Sequence, residues 1–200
     1  MANVNAPSGL KPARKMNSGY TNMGVNPYYI RSDYATAMFV GDPVVKTGTA
    51  NLVVFQGYEP GTLPTINKST AGTGNASTGV IVGFGVDPNG LSNQYNPAST
   101  ERIAHVLDDA FATFYIQDDG SAALASVDVG TNFNLVLTTA GSTSTGQSGA
   151  MLNATSTATT ATLQLSIIRL APIPGNSLGV NAIWEVRLNN HTEAPNTAGI

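Results

Sequence analysis

The residues of this chain that could do chemistry are few. A nucleophilic serine needs a histidine base beside it, and the 200-residue sequence has two histidines, His105 and His191. His105 falls within a β-rich run, where a packed or hydrogen-bonded strand residue is the expected role, and His191 falls in the C-terminal tail. The nearest approach to a nucleophile elbow is "GQSGA" around Ser148, which lacks the G-x-S-x-G spacing and sits in a polar stretch. Two acidic doublets, Asp108-Asp109 and Asp118-Asp119, could serve a glycosidase or calcium. Neighbouring residues of a strand point to opposite faces, however, and no EF-hand spacing surrounds them, so turns are the better reading. The glycine-rich runs 71–79 and 83–85 have neither the P-loop lysine nor a following helix to hold a phosphate. Gly41-Asp42-Pro43, set between two apolar runs, reads as a corner: a permissive glycine, an acid that bonds nearby backbone N–H groups, and a proline that opens the next strand. No metal, cofactor or catalytic residue is expected from these residues.

Composition narrows the classes further. Only 10% of residues are charged, against roughly 25% in an ordinary soluble domain. A surface so poor in charge suits a protein packed against others. There is no cysteine, which removes disulfides and thiolate sites. No secretory signal or membrane-spanning run is visible, so the sequons at Asn67, Asn75, Asn153 and Asn190 read as chance. The net charge of −3 is unevenly spread: residues 1–46 hold five basic residues against two acids, leaving −6 for the remainder. With basic residues so sparse, nucleic acid is not an expected partner.

The elements that must position these residues are mainly β. Residues 1–27 scatter Pro7, Pro12 and Pro27 among glycines and read as an extended N-terminal arm, with Leu10, Met16 and Tyr20 as apolar points along it. Residues 28–190 read as the body, with short strands predicted over 28–30, 36–40, 43–47, 52–58, 79–87, 133–140, 162–171 and 183–188. The alternating runs "ERIAHVLDD" and "AFATFYIQ" are expected to form a hairpin turning at Asp108-Asp109. Residues 62–78 and the polar stretch 141–161 read as loops, 121–130 as the one place for a helical turn, and 191–200 as a flexible tail. The fold class is an antiparallel β-sandwich or barrel of jelly-roll-like type. Trp184, Tyr58 and Tyr95 are the aromatics that could stack on a sugar ring if the body were a carbohydrate-binding module.

The opening "AP.GLKP.R", followed by "YYI", "ATAMFVGDPVV..G", "KSTAGTGNASTGVIVGF", "TLQLSIIRL" and "NSLGVNAIWEVRLNNH", resembles the head proteins of tailed bacteriophages over nearly the full chain. The resemblance is to capsid cement, or decoration, proteins. It implies a structural, non-enzymatic protein on the capsid exterior of a virion, with the major capsid protein and further copies of itself (a homodimer or homotrimer) as partners, and neither nucleic acid nor membrane. Leu10, Lys11, Arg14, Lys15, Met16 and Tyr20 are the residues expected at the partner interface. Removing the first 22 residues is then expected to leave the body folded.

Overall fold

The computed structural model describes residues 3–16, 24–87 and 89–200. The strands are β1 (Lys11–Lys15), β2 (Asn26–Ile30), β3 (Pro43–Ala50), β4 (Pro64–Lys68), β5 (Gly79–Phe84) and β6 (Arg102–Leu107). They continue with β7 (Ala112–Gln117), β8 (Asn132–Phe133), β9 (Leu135–Val136), β10 (Met151–Leu152), β11 (Leu165–Leu170) and β12 (Ile183–Leu188). Five of them close a barrel in the order β2-β4-β3-β5-β6, five form a sheet in the order β1-β7-β12-β11-β8, and β9 and β10 make a short ribbon. All named pairings are antiparallel except β2 with β4. The molecule is the mainly β body of packed sheets that its short, β-branched segments demand.

The wall between barrel and sheet explains why "GVIVGF" and "RIAHVL" look buried on both faces. In β5, Ile81 faces the barrel interior beside Ile30, Met38, Val44 and Ile66, while its neighbour Val80 faces the core of the open sheet. β6 repeats the pattern with Val106 inward and Leu107 toward the sheet. The larger core lies under β7, β11 and β12, where Phe114, Phe133 and Trp184 are fully buried. Each such side chain contributes about 1.5–3 kcal/mol by leaving water.

Three expectations are corrected here. First, β6 and β7 do not pair. β6 lies between β2 and β5 in the barrel, and β7 between β1 and β12 in the sheet. The doublet between them divides the chain's path: Asp108 accepts hydrogen bonds from Asn26 and the Tyr28 hydroxyl on the barrel side, while Asp109 accepts from Phe111 N–H and pairs with Lys15 of β1. Second, residues 3–16 are not an arm apart from the body. β1 is the edge strand of the open sheet, and Leu10 is fully buried in its core. The described part of the expected arm thus augments the chain's own sheet, so truncation there removes part of the body. Third, the last ten residues lie along the body. His191 bridges to Ser77, Gly199 N–H donates to Thr159 O, and Ile200 N–H donates to Gly130 O.

Smaller differences have local causes. Met38 and Val40 form single bridges instead of a strand over 36–40. β4 lies inside the segment read as a loop, because Ile66 fills the barrel interior while its neighbour Thr65 is buried on the opposite face. β10 sits in the polar low-complexity stretch, anchored by Met151 and Leu152. The helical turn expected over 121–130 is a single 3-10 turn at Ser126–Asp128.

Candidate interaction surfaces

The residues with chemical potential are drawn into closed structural clusters. Gly41 has φ +92°, and its carbonyl accepts a hydrogen bond from Leu10 N–H at 3.0 Å. Asp42 is fully buried: Oδ2 accepts from Phe39 N–H at 2.8 Å, and Oδ1 accepts from Ser148 Oγ at 2.6 Å and pairs with Lys68 Nζ at 2.9 Å. Ser148 Oγ in turn accepts from Ala150 N–H. The corner therefore binds the N-terminal segment, β4 and the 142–150 loop into one unit. No histidine joins it: His105 is on β6, and His191 Nδ1 accepts from Glu193 N–H. Burial pushes the His191 imidazole below its ordinary value.

The second doublet behaves likewise. Asp118 is fully buried and accepts from Gly120, Asn181 and Ala182 N–H and from the Trp184 indole N–H. Burial pushes its carboxyl up, although these four donors oppose the shift. Trp184 is consequently a core residue and has no face to offer a sugar. Tyr95 stacks on Phe39 with ring centroids 5.0 Å apart, and Tyr58 closes a hairpin described below. Among the described residues, no group of three or more His, Asp or Glu side chains could hold a metal ion, and no helix is long and apolar enough to cross a membrane.

Among the described residues, two surfaces stand out. The first is the outer face of the five-stranded sheet. Register places Lys11, Tyr115, Glu185 and Arg169 in one row across β1, β7, β12 and β11, and Arg14, Thr113, Arg187 and Ser166 in the next. Alternation along β7 and β12 sends Phe114, Ile116, Trp184 and Val186 to the core and these residues outward. Glu185 accepts from Arg14 Nε and Arg169 Nε, each at 2.6 Å, and from Thr113 Oγ1 at 2.9 Å. Burial alone would raise its carboxyl; the hydrogen bonds from Arg14, Arg169 and Thr113 outweigh it and hold the group below the ordinary glutamate value.

The second is a tip at the barrel end, where Leu52, Val53 and Val54 are 82%, 62% and 58% exposed. The tip is rigid. Phe55 and Tyr58 exchange backbone hydrogen bonds across a two-residue turn in which Gln56 has φ 48° and Gly57 φ 86°. Asn51, itself buried, donates to the carbonyls of Val53 and Glu59 and accepts from Leu63 N–H. Phe55 packs edge-on against Tyr29, centroids 5.1 Å apart, and the Tyr29 hydroxyl donates to Glu101. Burial, followed by the Glu101 hydrogen bond, pushes that hydroxyl up to about 12. Gln56 Nε2 donates to Val86 O, which brings the exposed Val86 to the same end.

No family model, curated protein or solved structure matches this chain. Its surfaces must be weighed on their own geometry.

The six residues expected at an interface do not share one environment. Leu10 is core and unavailable. Lys11 and Arg14 stand on the sheet face, Lys15 is engaged by Asp109, and Met16 is exposed where its N–H donates to the carbonyl of the exposed Phe111. Tyr20 lies outside the described residues. Sequence reasoning missed Arg169, Arg187 and Glu185, which complete the sheet face. The signal was present in "IIRL" and "WEVRL", two strands with a charge on the outward phase, but only register shows that those charges meet Arg14.

Proposed function

We propose that this chain is a structural protein of a tailed-phage virion, a cement protein that sits on the capsid exterior and ties neighbouring major capsid proteins together. The observation that carries the reading is the barrel tip. Leu52, Val53 and Val54 are presented to water on a hairpin that Asn51 and Phe55 hold in one conformation. A protein gains nothing in its own stability from apolar side chains held outward, and such a patch marks a surface that another protein covers. Rigidity lowers the ordering cost of docking, and repetition over a shell multiplies a modest contact. The low overall charge and the resemblance of the sequence to phage head proteins support the same role. A non-enzymatic part is consistent with Asp42, Ser148, Lys68, Asp118 and Glu185 being spent on internal bonds. The sugar-binding alternative loses its main support with Trp184 in the core.

The direct test is immunogold labelling of phage particles that carry this gene, using antibody raised against the recombinant protein. Label over the head shell is expected. Label on tails, or none on intact particles, would overturn the proposal.

A further inference from the structure

The uncompensated positive charge of the molecule lies on one sheet face. Four cations, Lys11, Arg14, Arg169 and Arg187, surround the single carboxylate of Glu185, a surplus of +3 on a chain whose formal net charge is −3. The other basic side chains are matched where they stand. Lys15, Arg31, Lys46 and Lys68 pair with Asp109, Asp33, Glu193 and Asp42, and Arg102 is buried on backbone carbonyls with Asp87 close by.

Glu185 holds its two arginines in a particular way. Both bonds come from Nε, and among the described residues neither guanidinium has another hydrogen-bond partner for its Nη1 and Nη2 groups. The arginine side chains stay 44% and 46% exposed over a glutamate that is wholly covered. A guanidinium fixed through Nε keeps its Nη edge free, and that edge matches a carboxylate in bidentate geometry. The ordering cost of two long side chains is met before any ligand arrives.

The geometry points to this face as a docking site for an acidic protein surface, with Arg14 and Arg169 each receiving a carboxylate. The inference rests on the assembly role proposed above and assigns to it a second contact, separate from the apolar tip. A polyphosphate ligand fits poorly, because four cations are sparse for a nucleic-acid backbone. A second copy of this chain also fits poorly. Of its 12 Asp and Glu residues, Glu59 is the one whose carboxylate takes no hydrogen bond or ion pair among the described residues. The occupant is therefore a different protein with free carboxylates.

The test uses the full-length protein and a hexaglutamate peptide as probe, followed by NMR of the arginine Nε–H signals and by calorimetry at low and physiological salt. The wild-type protein should bind the peptide with shifts at Arg14 and Arg169, and binding should weaken as salt rises. Arg14→Gln with Arg169→Gln strands a buried carboxylate, so the informative variant is the triple Arg14→Gln, Glu185→Gln, Arg169→Gln, checked for wild-type melting. It should bind at least tenfold more weakly, while Lys46→Gln binds as wild type does. Three results would overturn the assignment: equal binding by the triple variant, tighter binding of a sulfated hexasaccharide or inorganic phosphate than of hexaglutamate, or salt-sensitive self-association that the triple variant abolishes. Head labelling with no peptide binding would sink this inference alone, and peptide binding without head labelling would sink the cement role alone.

Discussion

Ser148 Oγ donates a 2.6 Å hydrogen bond to Asp42 Oδ1, joining the 142–150 loop to the corner that opens β3. Both residues are buried, and Lys68 Nζ meets the same oxygen at 2.9 Å. Ser148→Ala should lower stability by about 1–3 kcal/mol, the cost of removing a buried hydrogen-bond partner. Lys68→Met should cost more, about 3–5 kcal/mol, because it leaves the Asp42 charge without its cation. Urea unfolding monitored by Trp184 fluorescence measures both, and the reverse order would show that the serine carries the corner.

Leu10 precedes the edge strand yet belongs to the core. Leu10→Ala should destabilise by about 2–5 kcal/mol, as for other buried leucines. Removing residues 1–16 should do more, since it bares the β7 edge that β1 covers. Light scattering and circular dichroism of the truncated protein should show aggregation or loss of fold; a soluble, fully folded truncation would contradict the docked position of β1.

Glu185 sets part of the acid limit of stability. Its folded carboxyl lies below the ordinary value, so its contribution is complete above the unfolded pKa of about 4.3 and is lost as pH falls through the folded one. Melting temperatures taken between neutral pH and pH 2 should fall less steeply for Glu185→Gln than for wild type below about pH 4.3. Parallel curves would mean that Arg14 and Arg169 give the carboxylate no net help.

His191 acts in a higher window. Burial lowers its imidazole, opposed by Glu193 and Asp108 nearby, so the neutral form is the one the fold accepts. Its contribution is complete above the unfolded pKa of about 6.5 and disappears as pH drops through the lowered folded value. His191→Gln should flatten the stability profile just below pH 6.5, read by melting in steps across that range.

The barrel tip separates folding from assembly. Leu52→Asp with Val54→Asp should leave stability within about 0.5 kcal/mol, since neither side chain is buried. The same variant should fail to label heads in a competition against wild-type protein. Unchanged incorporation into particles would remove the tip from the assembly surface.

Much of the local structure was legible. Gly41-Asp42-Pro43 behaves as its types dictate: Gly41 has φ +92°, Asp42 accepts the Phe39 N–H, and Pro43 begins β3 where no ladder donor is needed. The long-range half of the same corner was not legible, because nothing in "GDP" names Ser148 or Lys68 as partners. Alternation in "RIAHVL" and "ATFYIQ" correctly marks two strands, but a period of two carries no information about which strand lies alongside. The N-terminal segment misled for a related reason. "KPARK" is an edge strand with proline, lysines and a bulge between Pro12 and Arg14, devices that blunt an edge and also erase its hydrophobic pattern. Lys11 and Arg14, expected at a partner interface, stand on the outer sheet face, whereas Leu10, expected beside them, is a core residue.

The position of β7 governs how the molecule can be made. Its two neighbours are β1, from the start of the chain, and β12, from near its end. β12 must therefore be made before β7 has a partner on both sides. Pairings so distant along the chain close slowly, and the half-made chain exposes one unpaired edge throughout synthesis. The five-stranded sheet thus closes only once β12 is in place, and a chain interrupted before that strand leaves β7 paired on one side alone.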